Sequence, residues 1–225
     1  IVDSGNIESV SIEINGGNAD GTICTVILDT TPPTVDVKNS ITAPTNQNVT
    51  VTITANEEIQ EVEGWTLSTG KTILTKEYTE NVEETVEVKD LAGNTTTANV
   101  KIANIDKIAP KVEVKSSTTE KTNQDVTVTI TANEEIKEVR GWTLGSDKKT
   151  LTKKYSENKT ETITIMDLAG NTTTAEITVN NIDKIVPKAM VKYSTVDLTN
   201  QNVTVTITAN EEIQEVEGWT LDSSR

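Results

Sequence analysis

Histidine and phenylalanine are absent from the 225-residue chain, cysteine occurs once, and aromatic residues make up only 3% of it. Without imidazole there is no His-ligated zinc or haem and no Ser-His or Cys-His nucleophile pair. Most familiar enzyme chemistry is thereby excluded, and no residue is assigned a catalytic role. The single Cys24 cannot close an intrachain disulfide, and it lies in the alternating run Thr22-Ile23-Cys24-Thr25-Val26 with no cationic neighbour to activate it. It reads as an ordinary strand residue. Apolar runs are short as well: none approaches the ~20 residues that a membrane-spanning helix needs. Residues 1 to 30 have neither the basic start nor the unbroken apolar core of a signal peptide, so the targeting signals of an exported protein are expected outside this chain.

Positive charge is also scarce. With 20 Lys and Arg against 35 Asp and Glu, the formal charge is −15 and the pI about 4.5. A phosphate backbone would be repelled rather than neutralised, so no nucleic-acid partner is expected, and with apolar runs this short no membrane insertion is expected either. What the chain does have is Val, Ile and Thr, the β-branched residues that pack well on a pleated surface. The composition predicts an all-β protein.

Internal repetition sets the organisation. The run from Thr45 to Ile59 recurs from Thr122 to Ile136 with Asp125 in place of Asn48, and returns unchanged from Thr199 to Ile213, a spacing of 77 residues each time. The same spacing relates Asp29 to Asp106 and Asp183, Pro33 to Pro110 and Pro187, Trp65 to Trp142 and Trp219, and Asp90-Leu91-Ala92-Gly93-Asn94 to Asp167-Leu168-Ala169-Gly170-Asn171. Within a unit the apolar period is two. Val49, Val51 and Ile53 share one face and Thr50, Thr52 and Thr54 the other, as a half-buried strand requires. Further strands are predicted over 34–40, 64–67, 72–78, 85–89 and 98–104. Pro32-Pro33, Pro44, Ser68-Thr69-Gly70 and Ala92-Gly93-Asn94 punctuate them. Six or seven short strands per unit read as a small antiparallel sandwich.

Taken in order, Asp-x-x-x-Pro at the start of the unit, Val-Thr-Val-Thr-Ile-Thr in the second strand, Gly-Trp in the third and Asp-Leu-Ala-Gly-Asn between the last two resemble the bacterial Ig-like repeats of Gram-positive surface and secreted proteins. The resemblance spans residues 29 to 225. It implies tandem Ig-like antiparallel β-sandwich domains in an extended rod, an extracellular location, and a stalk or spacer role without catalysis. It also makes Trp65 and Trp142 core residues of the third strand. On this reading 29–105 and 106–182 are complete units and 183–225 the early strands of a third. Residues 1–28 read as the last strands of a preceding, diverged unit, since Glu8, Val10 and Ile12 align with Glu84, Val86 and Val88.

The sandwich connectivity gathers acidic residues at one pole of each unit. In the second unit these are Asp106 from the linker, Asn133, Glu134 and Glu135 after the second strand, and Asp167 and Asn171 from the last hairpin. The first unit supplies Asp29, Glu57, Glu58, Asp90 and Asn94, and the third Asp183, Glu211 and Glu212. Oxygen donors in this number suit a hard cation, so Ca²⁺ at the domain junctions is the one cofactor expectation. The competing reading is structural, because Asp-x-Ala-Gly-Asn is good turn chemistry and exposed Glu pairs defend strand edges. Paired carboxylates do not make a glycosidase here, since one Trp and one Tyr per short unit cannot wall a deep cleft. Three roles remain. The first is a spacer whose partners are its neighbouring domains. The second is an adhesive module in which Trp65 and Trp142, with Tyr78, contact a host or cell-wall glycan or protein. The third is a homopolymer built head to tail by strand complementation.

Overall fold

The computed structural model describes residues 28–222. The readings placed on Cys24 and on residues 1–27 lie outside that range. Among the described residues the chain is all-β, with fourteen strands and no helix. In the first repeat β1 (Val35–Asn39), β2 (Val49–Ala55), β3 (Thr66–Leu67) and β4 (Ile73–Tyr78) form a four-stranded antiparallel sheet in the order β1-β2-β4-β3. Strands β5 (Val82–Lys89) and β6 (Thr95–Ile102) form a separate hairpin. The second repeat repeats this arrangement with β7 (Val112–Ser116), β8 (Val126–Ala132), β9 (Thr143–Leu144), β10 (Thr150–Tyr155), β11 (Lys159–Met166) and β12 (Thr172–Val179).

The alternation seen in the sequence is what closes each layer. Val49, Val51 and Ile53 are fully buried, and Val86, Val88, Ala98, Val100 and Ile102 of the hairpin join them in one apolar cluster with Ile59, Leu74 and Tyr78. A second, separate cluster holds the equivalent residues of the second repeat, from Val126 to Ile182. Each fully buried Ile or Leu stabilises its repeat by about 1.5–3 kcal/mol, and truncating Ile53 or Ile130 to Ala would cost about 2–5 kcal/mol. Asn39 Nδ2 donates to the Lys101 carbonyl at 3.0 Å, tying β1 to the outer side of β6.

The third strand departs from expectation. It is only two residues long, and Trp65 sits in a bend just before it, its backbone N–H donating to the Val62 carbonyl at 3.0 Å. The physical reason is a crossover. After β2 the chain reaches across to the hairpin, where Ile59 bridges Asp90 and the Gln60 N–H donates to the Lys89 carbonyl at 2.8 Å. It then returns to the first sheet at β3. Gly64, at φ 77°, makes the return turn just before the indole.

Beyond the second repeat, β13 (Ala189–Tyr193) and β14 (Val205–Ala209) pair antiparallel. Ile207 is 40% exposed where Ile53 and Ile130 are fully buried, because no described residue after β14 covers this face with a hairpin.

Candidate functional site

The turn between β5 and β6 is where the acidic residues converge, and its own chemistry explains why. The Asp90 N–H donates to the Asn94 carbonyl at 3.1 Å, and Gly93 takes a φ of 96° that a residue with a Cβ rarely adopts. Asp90, 1% exposed, accepts the Asn94 backbone N–H on Oδ1 at 2.9 Å and the Asn94 side-chain amide on Oδ2 at 2.8 Å. That same amide donates to the Asp29 carbonyl at 3.1 Å, stapling the incoming linker to the turn.

In the second repeat Asp167 is equally buried and more heavily bonded. Its Oδ1 accepts from the backbone of Gly170 at 2.6 Å and Asn171 at 2.8 Å, and its Oδ2 from the Asn171 amide at 2.8 Å. Asn171 also donates to the Asp106 carbonyl at 2.9 Å.

Against each buried Asp the fold sets two more carboxylates. Asp29, Glu57 and Asp90 bring oxygen atoms within 4.8 Å of one another, and so do Asp106, Glu134 and Asp167. The linker members are fixed by their own turns, with Asp29 accepting from the Thr31 N–H and Asp106 from the Ile108 N–H, each at 3.0 Å. Burial, then the charges of Asp106 and Asp167, push the Glu134 carboxyl above its usual range, outweighing the Asn133 amide and Lys149. Chemically the triad can hold a proton on Glu134 or accept a hard cation such as Ca²⁺.

Not all expected donors join it. Glu58 turns to Lys71 at 3.9 Å and Glu135 to Lys148 at 3.7 Å. Asn94 and Asn171 present N–H₂ groups to the carboxylates, the polarity opposite to a cation ligand.

The triad of the second repeat borders the joint with the first. Thr45 bridges Ile105, the Asp106 N–H donates to the Thr45 carbonyl at 2.9 Å, and the Asn46 N–H donates to the Ala169 carbonyl at 3.1 Å. Asp106 is thus bonded by its backbone to both repeats.

A second cluster was not anticipated from the sequence. The half-buried Trp65 meets Tyr78 edge to face, with centroids 6.3 Å apart. Lys76 Nζ lies 5.6 Å from the centroid of the first ring and 4.7 Å from that of the second. Glu84, from β5, accepts from Lys76 Nζ at 3.0 Å and from the Tyr78 hydroxyl at 2.5 Å, closing the side of the repeat between β4 and β5.

The second repeat has the same cluster in Trp142, Tyr155, Lys153 and Glu161, with Lys159 added at 3.3 Å. Burial, then the neighbouring carboxylate, raises both tyrosines well above the ordinary phenol range. Lys153 first, then Tyr155, holds Glu161 down to about 2. Tyr78 is only 7% exposed, so it offers no platform for a sugar beside Trp65. The available signal was the alternation Lys76-x-Tyr78 on one strand, which puts both side chains on the face that meets Glu84.

No family model matches the chain, and no curated protein or solved structure matches it.

Proposed function

We propose that this chain is a non-catalytic spacer, a run of Ig-like units that holds another module at a distance from a bacterial surface. The observation that carries the reading is the pairing of separate apolar clusters with a direct joint: each repeat closes its own core, and the two meet where the Asn46 N–H of the first donates to the Ala169 carbonyl of the second and where Asp106 is bonded to both. Short, Pro-bounded connections resist bending, and an acidic exterior opposes non-specific clumping of the chains. In this role distance and stiffness are the product. The domains divide at 29–105 and 106–182, and the protein works outside the cell.

Small-angle scattering on chains of one, two and three complete repeats tests the reading. The maximum dimension is expected to grow by a constant increment of roughly 30–40 Å per repeat, the length of an eight-residue strand plus its loops. A dimension that stops growing, with repeats folding back on one another, would overturn the spacer.

A further inference from the structure

Among the described residues, each complete repeat leaves one long strand with a ladder partner on one side only. β5 pairs with β6 and β11 with β12, while the crossing segment covers the other edge only at its far end, at Gln60–Lys89 and Lys137–Met166. Alternate N–H and C=O groups along the rest of each strand therefore face outward, the arrangement that templates another strand unless side chains forbid it. β6 and β12 lie beside β1 and β7. β3 and β9 are two residues each. The open edges of β5 and β11 are the ones to compare.

The two edges carry different side chains on the same exposed face. β5 presents Glu83, Thr85 and Glu87, whereas β11 presents Thr160, Thr162 and Thr164. Two copies of one edge meet antiparallel about a local two-fold axis, so the residue at the centre faces itself and its neighbours two positions away face each other. Centred on Thr85, this pairing sets Glu83 against Glu87 twice. These glutamates would have to leave their pairs with Lys101 at 3.1 Å and Lys89 at 2.8 Å or bring like charges together. Centred on Thr162, the same register sets Thr160 against Thr164 twice, a cross-strand pair that contributes favourably. On the inner face Glu161 opposes Ile163, and its charge is already met by Lys153 and Lys159. In a chain of net charge −15, β11 is thus a place where two copies can approach without opposing carboxylates.

We propose that β11 is a homotypic docking edge: two chains join side by side through antiparallel pairing of Thr160–Thr164, giving a two-fold dimer of stalks. The occupant is a second copy of this chain, and repeat 1 is guarded against the same contact by Glu83 and Glu87.

Sedimentation of the 225-residue chain tests it. A reversible monomer–dimer equilibrium is expected, half-saturated at roughly 10–100 μM for so small a contact. Thr160→Glu with Thr164→Glu, which copies residues that repeat 1 already carries, is expected to weaken dimerisation at least tenfold with the fold intact by circular dichroism. The converse pair, Glu83→Thr with Glu87→Thr, opens a second edge and drives association past the dimer. In a Cys24→Ser background, Thr162→Cys at the axis is expected to give an oxidised, covalently linked dimer. A chain that stays monomeric to about 100 μM overturns the proposal. So does a dimer that survives the double glutamate substitution, which would place the contact elsewhere, as on the exposed face around Ile207.

Discussion

The two complete repeats fill the same core positions, with Val and Ile exchanged at four places in the hairpin, and differ in charge where they meet something else. At one equivalent place repeat 1 has Asn48 and Glu77, and repeat 2 has Asp125 and Lys154. In repeat 1 Lys107 from the outgoing linker donates to the Asn48 side-chain oxygen at 2.8 Å. In repeat 2 Lys184 from the next linker donates to Asp125 at 2.6 Å, and Lys154 pairs with the other carboxylate oxygen at 3.1 Å. A lysine grips the repeat it has just left in both joints, once through a neutral amide and once through a three-charge cluster. The hairpin edges differ in the same way, by charge on an exposed face. The apolar period fixes the frame of each unit, and the exposed polar positions set how it engages its surroundings.

The largest effect expected from breaking this comparison lies at the buried turn aspartates. Asp167→Ala removes three hydrogen bonds to a carboxylate and is expected to destabilise repeat 2 by about 3 kcal/mol, read from urea unfolding. Asp90 accepts two such bonds from Asn94, so Asp90→Ala should cost repeat 1 less. Equal losses would mean that the extra bond from Gly170 contributes nothing.

Next comes the carboxylate that bridges the layers. The folded-state value of Glu161, about 2, lies below the ordinary range near 4.3 for an unfolded chain. A depressed carboxyl contributes stability that is fully present above the unfolded value and is lost as pH falls toward the folded one. Repeat 2 should therefore weaken between about pH 4.5 and 2, and Glu161→Gln should cost about 2 kcal/mol at pH 7 and flatten that decline. Glu84 is also lowered, first by Tyr78 and then by Lys76, but lacks a counterpart of Lys159. Glu84→Gln is expected to cost repeat 1 less.

The triads give an effect of opposite sign. With its pKa raised, Glu134 binds a proton more tightly in the folded chain, so its contribution improves as pH falls toward the unfolded value, and the charged form is a burden at pH 7. Glu134→Gln should stabilise repeat 2 by up to about 1 kcal/mol at neutral pH in chelator, measured by thermal unfolding. The same variant separates the two chemistries of the site. A rise in melting temperature with millimolar Ca²⁺ that disappears in Glu134→Gln assigns the cluster to a cation, and no response in the parent chain leaves it to the proton.

Much of this is legible in the amino-acid sequence. Val49-Thr50-Val51-Thr52-Ile53 announces its strand because one face must be buried, and the turn Asp90 to Asn94 announces a hairpin because Gly93 needs positive φ. The convergence of Asp29, Glu57 and Asp90 followed from connectivity, which fixes which loops share a pole. Connectivity does not fix side-chain direction. Glu57 and Glu58 are adjacent, yet only the first enters the triad, while the second lies outside it beside Lys71 at 3.9 Å. Nor does spacing reveal which end of an amide faces a carboxylate, and that polarity decides whether Asn94 completes a cation site or a turn. Trp65 marked a strand in the sequence but lies before a shorter one. The crossover that displaces it depends on where Ile59 meets Asp90, a long-range contact with no local signature.

The smallest expected effect returns to the joints. Asp125→Asn converts the second joint to the chemistry of the first, removing the charge that Lys184 and Lys154 share while keeping an oxygen for Lys184. Exposed ion pairs contribute little to stability in water and are screened by salt, so global unfolding should hardly change. What should change is the salt response of the linker's exit. With donor and acceptor dyes placed on repeat 2 and near β13, raising NaCl from 20 mM to 1 M shortens the Debye length from about 20 Å to 3 Å and should broaden the transfer distribution of the parent chain. It should leave Asp125→Asn unchanged, because a neutral amide has no charge to screen. Dyes spanning the first joint should already behave like the variant, and Asn48→Asp alone should not reproduce the second joint, since Glu77 stands where Lys154 supplies the second cation. Restoring that partner with Glu77→Lys should make the first joint salt-sensitive too.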